Sequence, residues 1–329
     1  MKIGLISFAH GHAYSYASSL KRLGIEIVGI ADEDAERGRQ MANHFGAPLF
    51  QDYAKLLEND TEAAADAVIV CSENAMHADI VISAAQAGKH ILCEKPLATT
   101  VVDAQRMIDA AARAQVKLMT AFPCRFHPAA IQMKQTVEQG LLGSILAVQG
   151  TNRGSMPGGW FVNRELSGGG ALLDHTVHVV DLMRWIMPGA EVTEVYAEAG
   201  TRFHDIPVDD CGLLTFEFDN GVIASLDPSW SRTQSFPTWG DVTLEIVGTA
   251  GVSKTDLFKQ NIIAHSDVTM KTSWVNWGSD MDEGLVAEFI SCIQGDRQPS
   301  VTGEDGMRAV QVALAAYESA ATKQPVRIS

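Results

Sequence analysis

The chain has 329 residues, 46% of them hydrophobic and 20% charged, with a formal net charge of −15. That length suits two domains, each able to bury its own core, and the composition is that of a globular chain. The acidic balance, without a local basic stripe, argues against nucleic acid and anionic membrane surfaces as partners, and no apolar run approaches a membrane span.

In chain order, "KIGLIS", "IEIVGIAD", "DAVIVCS", "KHILCEK" and "VKLMTAF" read as strands, with helices predicted near 13–23, 35–45, 75–88 and 99–115. The strands are continuously apolar, as strands covered on both faces are. Strand–helix alternation of this kind predicts a doubly wound parallel sheet. The pattern changes after Phe122. "FPCRFHP" is a proline-bounded junction leading into a helix that ends near Gly140. "SILAVQGTN", "EVTEVYAEAG", "GLLTFEFDNGVIASLD" and "VTLEIVGTAGV" then alternate as strands, with Asn220-Gly221 as a hairpin turn. Helices are predicted at 170–187, 281–294 and 303–322. The expected fold is α/β: a Rossmann domain over 1–122, then an α+β domain over 123–329 with a large, mostly antiparallel open sheet.

Cys71, Cys93, Cys124, Cys211 and Cys292 form no C-x-x-C pair, and their number is odd. Reduced thiols in a cytoplasmic protein fit this better than a disulfide frame. The first apolar run is broken at His10 and His12 and reads as a strand rather than a signal peptide.

Five stretches carry candidate chemistry. The first is the turn "SFAHGH". A dinucleotide fingerprint would place glycines at Ser7, Ala9 and His12, where they give positive φ and close approach to a pyrophosphate. Ser7, Phe8, Ala9, His10 and His12 are the candidate phosphate contacts. Ser7 and Ala9 are small enough for this role, whereas His12 would crowd the helix–strand contact unless it turns outward. The second is Asp32, at the ribose-binding position. A carboxylate there favours NAD over NADP, and Arg37 one turn later leaves NADP possible. The third is "CSENAMH", where Ser72, Glu73, Asn74 and His77 follow a strand at the edge where ligands bind. The fourth is Glu94-Lys95-Pro96. Proline restricts the backbone of Lys95, whose ammonium could bond a hydroxyl and tune proton transfer. The fifth is "GGGALLDHTVHVVDLMRW". Asp174, His178 and Asp181 share one helical face, the preceding glycines would admit a ligand, and a histidine near a helix start is held neutral. Each stretch taken singly also fits a structural loop, cap or core contact.

Taken together, "VGIAD", "HADIVISAAQAGKHILCEKPLA", "FPCRFHP" and "GGGALLDHTVHVVDLMRW" resemble the Gfo/Idh/MocA oxidoreductases over nearly the whole chain. The resemblance implies a Rossmann domain joined to an open-sheet domain, and NAD- or NADP-linked redox chemistry on sugars and cyclitols. It implies that Lys95 contacts cofactor and substrate, that His178 is the acid–base group, and that Asp174 binds substrate. Arg125, Trp160 and His175 join the expected substrate contacts. The chain departs from the family pattern at the turn, at Glu73 and Pro123, and at His175.

The expected activity is hydride transfer between NAD and a secondary hydroxyl of a sugar, sugar derivative or cyclitol. Alternatives are a non-catalytic nucleotide-binding regulator, a lyase or glycosidase using NAD transiently, and a metal site at Asp174, His175 and His178 with His204. No metal is expected on the leading reading. Trp160, Trp230, Trp239, Trp274 and Trp277 are further candidates to face a sugar ring. The open sheet suggests a homodimer or homotetramer.

Overall fold

The computed structural model describes residues 1–58, 64–259, 261–276 and 278–328. The chain divides into two compact units. One is Met1–Pro123 with Glu165–Ser167 and Asp282–Arg308; the other is Cys124–Arg164, Gly168–Met281 and Ala309–Ser329.

In the first unit, β1 (Lys2–Ile6), α1 (His12–Arg22), β2 (Glu26–Ala31), α2 (Ala35–Phe45), β3 (Leu49–Phe50), α3 (Tyr53–Leu57) and β4 (Ala67–Val70) follow one another. Then come α4 (His77–Gln86), β5 (His90–Cys93), α5 (Val101–Ala114) and β6 (Leu118–Thr120). The six strands lie in the order β3-β2-β1-β4-β5-β6, all parallel. Strand order reverses beside β1, which opens a crevice at the carboxyl edge of the sheet. The strands are apolar throughout because helices cover both faces: Ile3, Leu5, Val68, Ile69, Ile91 and Leu92 are all fully buried. Local chemistry sets the helix ends. The Asp34 side chain accepts from the amides of Glu36 and Arg37 at the start of α2, and Gly46 closes that helix at φ 67°.

The second unit holds α6 (Pro128–Glu138), β7 (Ile145–Gly154), the short α7 (Arg164–Ser167), α8 (Ala171–Ile186), β8 (Val192–Gly200) and β9 (Cys211–Phe218). It continues with β10 (Ile223–Ser229), β11 (Gly240–Gly248), β12 (Val252–Asp256) and the hairpin β13 (Asn261–Ser266)–β14 (Lys271–Asn276). The chain closes with α9 (Met281–Gln294), α10 (Gly303–Thr322) and β15 (Val326–Arg327). Seven strands form the order β12-β11-β7-β10-β9-β8-β15, antiparallel except for the β7–β10 pair. The β9–β10 hairpin turns at Asn220-Gly221, with Gly221 at φ 83°. α8 packs on β7, β9 and β10. A Cβ at Gly150 of β7 would stand 2.4 Å from Val179, so only glycine allows that approach.

Two features depart from the sequence reading. A single boundary after residue 122 does not describe the units, because Asp282–Arg308 returns to the first one. Gly303 packs against Ile108 and Leu118, and Gly306 against Leu97 and Thr120, where added Cβ atoms would stand 2.9 and 2.4 Å from their nearest neighbours. The second departure lies at the glycines before α8. They admit the protein's own atoms: a Cβ on Gly169 would meet the Tyr317 hydroxyl at 2.3 Å, and one on Gly170 the Asp209 carbonyl at 1.9 Å. Asp209 caps α8 from a distant segment, accepting from the amides of Gly170 (3.0 Å) and Leu172 (2.7 Å), and Tyr317 donates to it at 2.6 Å. The positive end of α8 is thus met by a carboxylate. Gly170→Ala is expected to cost about 2–3 kcal/mol through overpacking against backbone. A lowered chemical-denaturation midpoint would show this, and an unchanged midpoint would contradict it.

Candidate active site

The turn after β1 keeps the backbone of a phosphate-binding loop without its first glycine. Ser7 adopts φ 68°, the left-handed region a glycine would supply. Its amide donates to Ala31 O at 2.7 Å, and its hydroxyl accepts from the Ala9 amide at 3.1 Å. Those bonds hold a conformation that costs a non-glycine residue about 1–2 kcal/mol. The start of α1 carries no side-chain cap, and Gly11 there has no neighbour within 4 Å of a built Cβ. The first amides of α1 already have acceptors in the turn: His12 N–H donates to His10 Nδ1 at 3.2 Å and Ala13 N–H to His10 O at 3.1 Å. The groove beyond β1, β2 and β4 is lined by Ser7, Asp32, Tyr53, Ser72, Glu73 and Met76, among others.

Asp32 lies just past β2 and is 3% exposed. Its carboxylate accepts from the amides of Phe8 (2.8 Å) and Asp34 (3.0 Å) and takes Arg37 in a fork at 2.9 and 2.7 Å. These four donors match a carboxylate's acceptor capacity. Asp32 therefore builds the turn, and Arg37 offsets its charge.

Beyond β4, Asn74 donates to Ser167 O at 2.8 Å, and its Oδ1 is buried with no hydrogen-bond partner among the described residues. A buried acceptor of this kind at the carboxyl edge fits the donor groups of a nicotinamide ribose or carboxamide. His77 takes no such part. It is fully buried, its ring nitrogens lie 3.0 Å from Pro96 O and 3.2 Å from Ser72 O, and burial holds it below its ordinary value. It ties the loops after β4 and β5 together.

Glu94, fully buried after β5, organises the other side of the turn. Tyr16 donates to Oε1 at 2.5 Å, His12 Nδ1 lies 2.9 Å from the same oxygen, and the Lys95 amide donates to Oε2 at 2.8 Å. His12, at the third glycine's place, spares the helix–strand contact by turning its ring to Glu94. Burial pulls His12 down, but the charge and bond of Glu94 outweigh this and leave it raised. Burial pushes Glu94 up, yet His10 and His12 hold it well below the usual carboxylate range. Among the described residues, His10, His12 and Glu94 are the one group close enough to share a metal ion. His10 Nδ1 already accepts the His12 amide at 3.2 Å, which places its proton on Nε2, toward Glu94. The cluster reads as a carboxylate satisfied by donors. Asp174, His175 and His178, the alternative metal set, do not form such a group. Lys95 itself is 4% exposed, and its bond to Pro96 is cis.

The acid–base candidates belong to the second unit. Asp174 and His178, four residues apart on α8, are 7% and 6% exposed. Trp230, fully buried, donates its indole N–H to Asp174 Oδ2 at 3.2 Å. His178 Nδ1 is sealed in the interior, which leaves Nε2 as the ring nitrogen able to meet a substrate.

Two expected substrate contacts are placed differently. Arg125 is 5% exposed and engages Asp181 through two bonds, at 2.8 and 2.5 Å. Its partner residue in the sequence motif is therefore structural. His175 is fully buried and faces Asn152 and Asp174. Trp160 is half-buried and stacks on Phe161 with centroids 3.9 Å apart, whereas Trp239 is 46% exposed. Trp277 and the side chain of Trp274 lie outside the described residues. His204 Nε2 is occupied by Trp230 O at 2.8 Å. The roles of Trp230, Asp209 and Tyr317 escaped the sequence reading, since long-range pairs leave no local pattern.

A parallel sheet in this strand order, with a phosphate-type turn and a buried acceptor at its carboxyl edge, defines a dinucleotide-binding oxidoreductase fold. Residues 3–122 match the oxidoreductase family with an NAD-binding Rossmann fold, and residues 130–254 match the GFO/IDH/MocA C-terminal domain. The chain belongs to the Gfo/Idh/MocA family of oxidoreductases. It is 32% identical to the 1,5-anhydro-D-fructose reductase of Ensifer adhaerens, over 94% of this chain and 93% of that one. It is 29% identical to the myo-inositol 2-dehydrogenase of Thermotoga maritima, over 100% and 98%. The structure of a levoglucosan dehydrogenase in complex with NADH and L-sorbose superposes with a TM-score of 0.85 at 26% identity, covering 100% of this chain and 99% of that one. The cofactor is accordingly NAD-type. Among the described residues, no helix is long and apolar enough to cross a membrane.

Proposed function

We propose that the chain oxidises a secondary hydroxyl of a sugar, sugar derivative or cyclitol, with Lys95, Asp174 and His178 acting on the substrate. The observation that carries this reading is the placement of His178 four residues along α8 from an Asp174 that accepts from Trp230, both nearly buried. A bound nicotinamide would supply the hydride acceptor for the carbinol carbon. His178 Nε2 takes the hydroxyl proton as the C–O bond gains double-bond character. Lys95 would donate a hydrogen bond to a substrate oxygen and stabilise its developing charge. Asp174 accepts from a neighbouring hydroxyl and sets which carbon reacts. The residues that would hold the cofactor are those of the turn after β1, with Asn74 and Glu73 for the nicotinamide half and Asp32 for the adenosine ribose. Incubation of the chain with NAD and a panel of sugars and cyclitols, followed by NADH absorbance, tests the reading. Substrate-dependent NADH formation that His178→Gln abolishes supports it; formation undiminished in that variant overturns it.

NAD is favoured over NADP because a 2′-phosphate would meet the Asp32 carboxylate, which Arg37 only offsets. Asp32→Ala is expected to weaken NADH binding about tenfold, equivalent to about 1.4 kcal/mol, and to narrow the gap to NADPH. Calorimetric titration checks this; unchanged NADH affinity would remove Asp32 from the site.

The sheet of the second unit leaves Leu213 and Ile223 60% exposed and Leu146 52% exposed. We propose that a second copy covers this face, giving a dimer or tetramer. Solution scattering at working concentration should show more than one chain per particle, and a monomer would contradict it. The five free cysteines, four of them buried, support a cytoplasmic setting.

A further inference from the structure

The Asp32 side chain is wholly buried, and its two oxygens are served evenly. Oδ1 accepts from the Asp34 amide at 3.0 Å and from Arg37 Nη2 at 2.7 Å. Oδ2 accepts from the Phe8 amide at 2.8 Å and from Arg37 Nε at 2.9 Å. An ionised carboxylate offers about four acceptor positions, two on each oxygen, so every one is taken. The hydroxyls of an adenosine ribose would have to donate to these same oxygens. Ribose and guanidinium are therefore rivals for one acceptor.

The four donors differ in kind. The Phe8 and Asp34 amides are backbone groups, one in the turn after β1 and one at the residue that caps α2. Arg37 is the donor that can leave, with its side chain 30% exposed. Its contact is nonetheless built into the fold. Gly38 lets α2 lie against Asp32, since an added Cβ there would stand 2.9 Å from the Asp32 Cβ and 2.9 Å from Leu49. That approach sets Arg37 beside the carboxylate, where two parallel N–H···O bonds give the strong form of the pair. Arg37 Nη2 also donates to the Ser7 hydroxyl at 3.4 Å, so the guanidinium reaches from Asp32 to the glycine-poor turn.

We propose that Arg37 is a specificity-determining residue that competes with the adenosine ribose for Asp32, so that its fork must open before NAD or NADH is fully held. The apparent affinity for NADH is then reduced by the fraction of chains whose fork is closed. A 2′-phosphate acts in the opposite sense: it draws the guanidinium from Asp32 and pairs with it, which returns to NADPH part of what the carboxylate repels. The role given to Arg37 rests on Asp32 meeting the adenosine ribose, as proposed above, and is independent of the reaction at the substrate.

Calorimetric titration of the full chain with NADH and NADPH, wild type against Arg37→Leu, tests this. Leucine keeps part of the aliphatic stem and removes every donor. Arg37→Leu should tighten NADH about three- to tenfold and widen the gap to NADPH by about tenfold. In an Asp32→Ala background the same change should leave NADH affinity unaltered, because no contested acceptor remains. Unchanged or weaker NADH binding in Arg37→Leu, with Asp32 intact, would overturn the proposal. If Arg37→Leu does not fold, nitrogen-15 NMR of the arginine side chains in the wild-type chain decides, with Arg37→Lys to assign the signal. The Arg37 Nε–H resonance should shift on saturation with ADP-ribose, which carries the adenosine ribose, and stay in place with nicotinamide mononucleotide. A resonance that ADP-ribose leaves in place would overturn the proposal. Wild-type NADH affinity in Asp32→Ala would overturn the ribose assignment and the competition together, whereas weakened binding there with no gain in Arg37→Leu overturns the competition alone. These readouts involve no turnover, so the proposed oxidation stands or falls separately.

Discussion

Lys95→Ala is expected to slow turnover by about 10²–10⁴-fold while leaving NADH affinity within a few fold. The side chain lies at the carboxyl end of β5, where an open parallel sheet presents groups to its ligands. It is almost wholly buried, and its amide is anchored to Glu94, itself held by Tyr16 and His12. On the proposed function, a positive group there would act on charge that develops during reaction. Lys95→Met keeps most of the packing and should lose turnover equally. Steady-state rates and calorimetric NADH binding, measured on both variants, separate the effects. Full turnover in either variant would remove Lys95 from the mechanism. A collapse of NADH binding in both would instead make it a cofactor residue.

The second large effect is on stability. Asp181→Ala should destabilise the second unit by about 3–5 kcal/mol, because it strands the Arg125 guanidinium in the interior. The Arg125 and Asp181 side chains are 5% and 0% exposed and meet through two bonds. The guanidinium also lies 5.9 Å from the Trp185 ring, which cannot replace the lost charge. Replacing both residues, as Arg125→Met with Asp181→Leu, should recover a large part of the loss, since the uncompensated charge goes with its partner. Chemical denaturation followed by tryptophan fluorescence suits this test, because all six tryptophans lie beyond residue 159. An unchanged midpoint in Asp181→Ala would contradict a structural role and return Arg125 to the candidate substrate contacts.

Much of the fold was legible because its signals are local. Continuous apolar strands, helix periodicity and Asn220-Gly221 each act over a few residues, and α2, α9 and α10 fall where their sequence patterns put them. β3 and β15, two residues each, escaped because so short a run carries no period. The β13–β14 hairpin escaped as well. At the site, the sequence showed which residues could carry chemistry but not which were already engaged. Arg125, His175 and His77 look like ligand-facing groups in one dimension. Asp181, Asn152 and Pro96 occupy them in three. The glycines before α8 are the sharpest case. Their small size is used by Asp209 and Tyr317, which lie 39 and 147 residues from Gly170. The glycine-poor turn shows the converse: Ser7 takes the left-handed backbone, and His12 finds a partner in Glu94.

The central claim is that this turn still holds an NAD-type dinucleotide, and calorimetric titration of the wild-type chain with NADH and NADPH tests it most directly. The account predicts one NADH per chain, with NADPH at least about tenfold weaker. Binding of neither cofactor at millimolar concentration would contradict it.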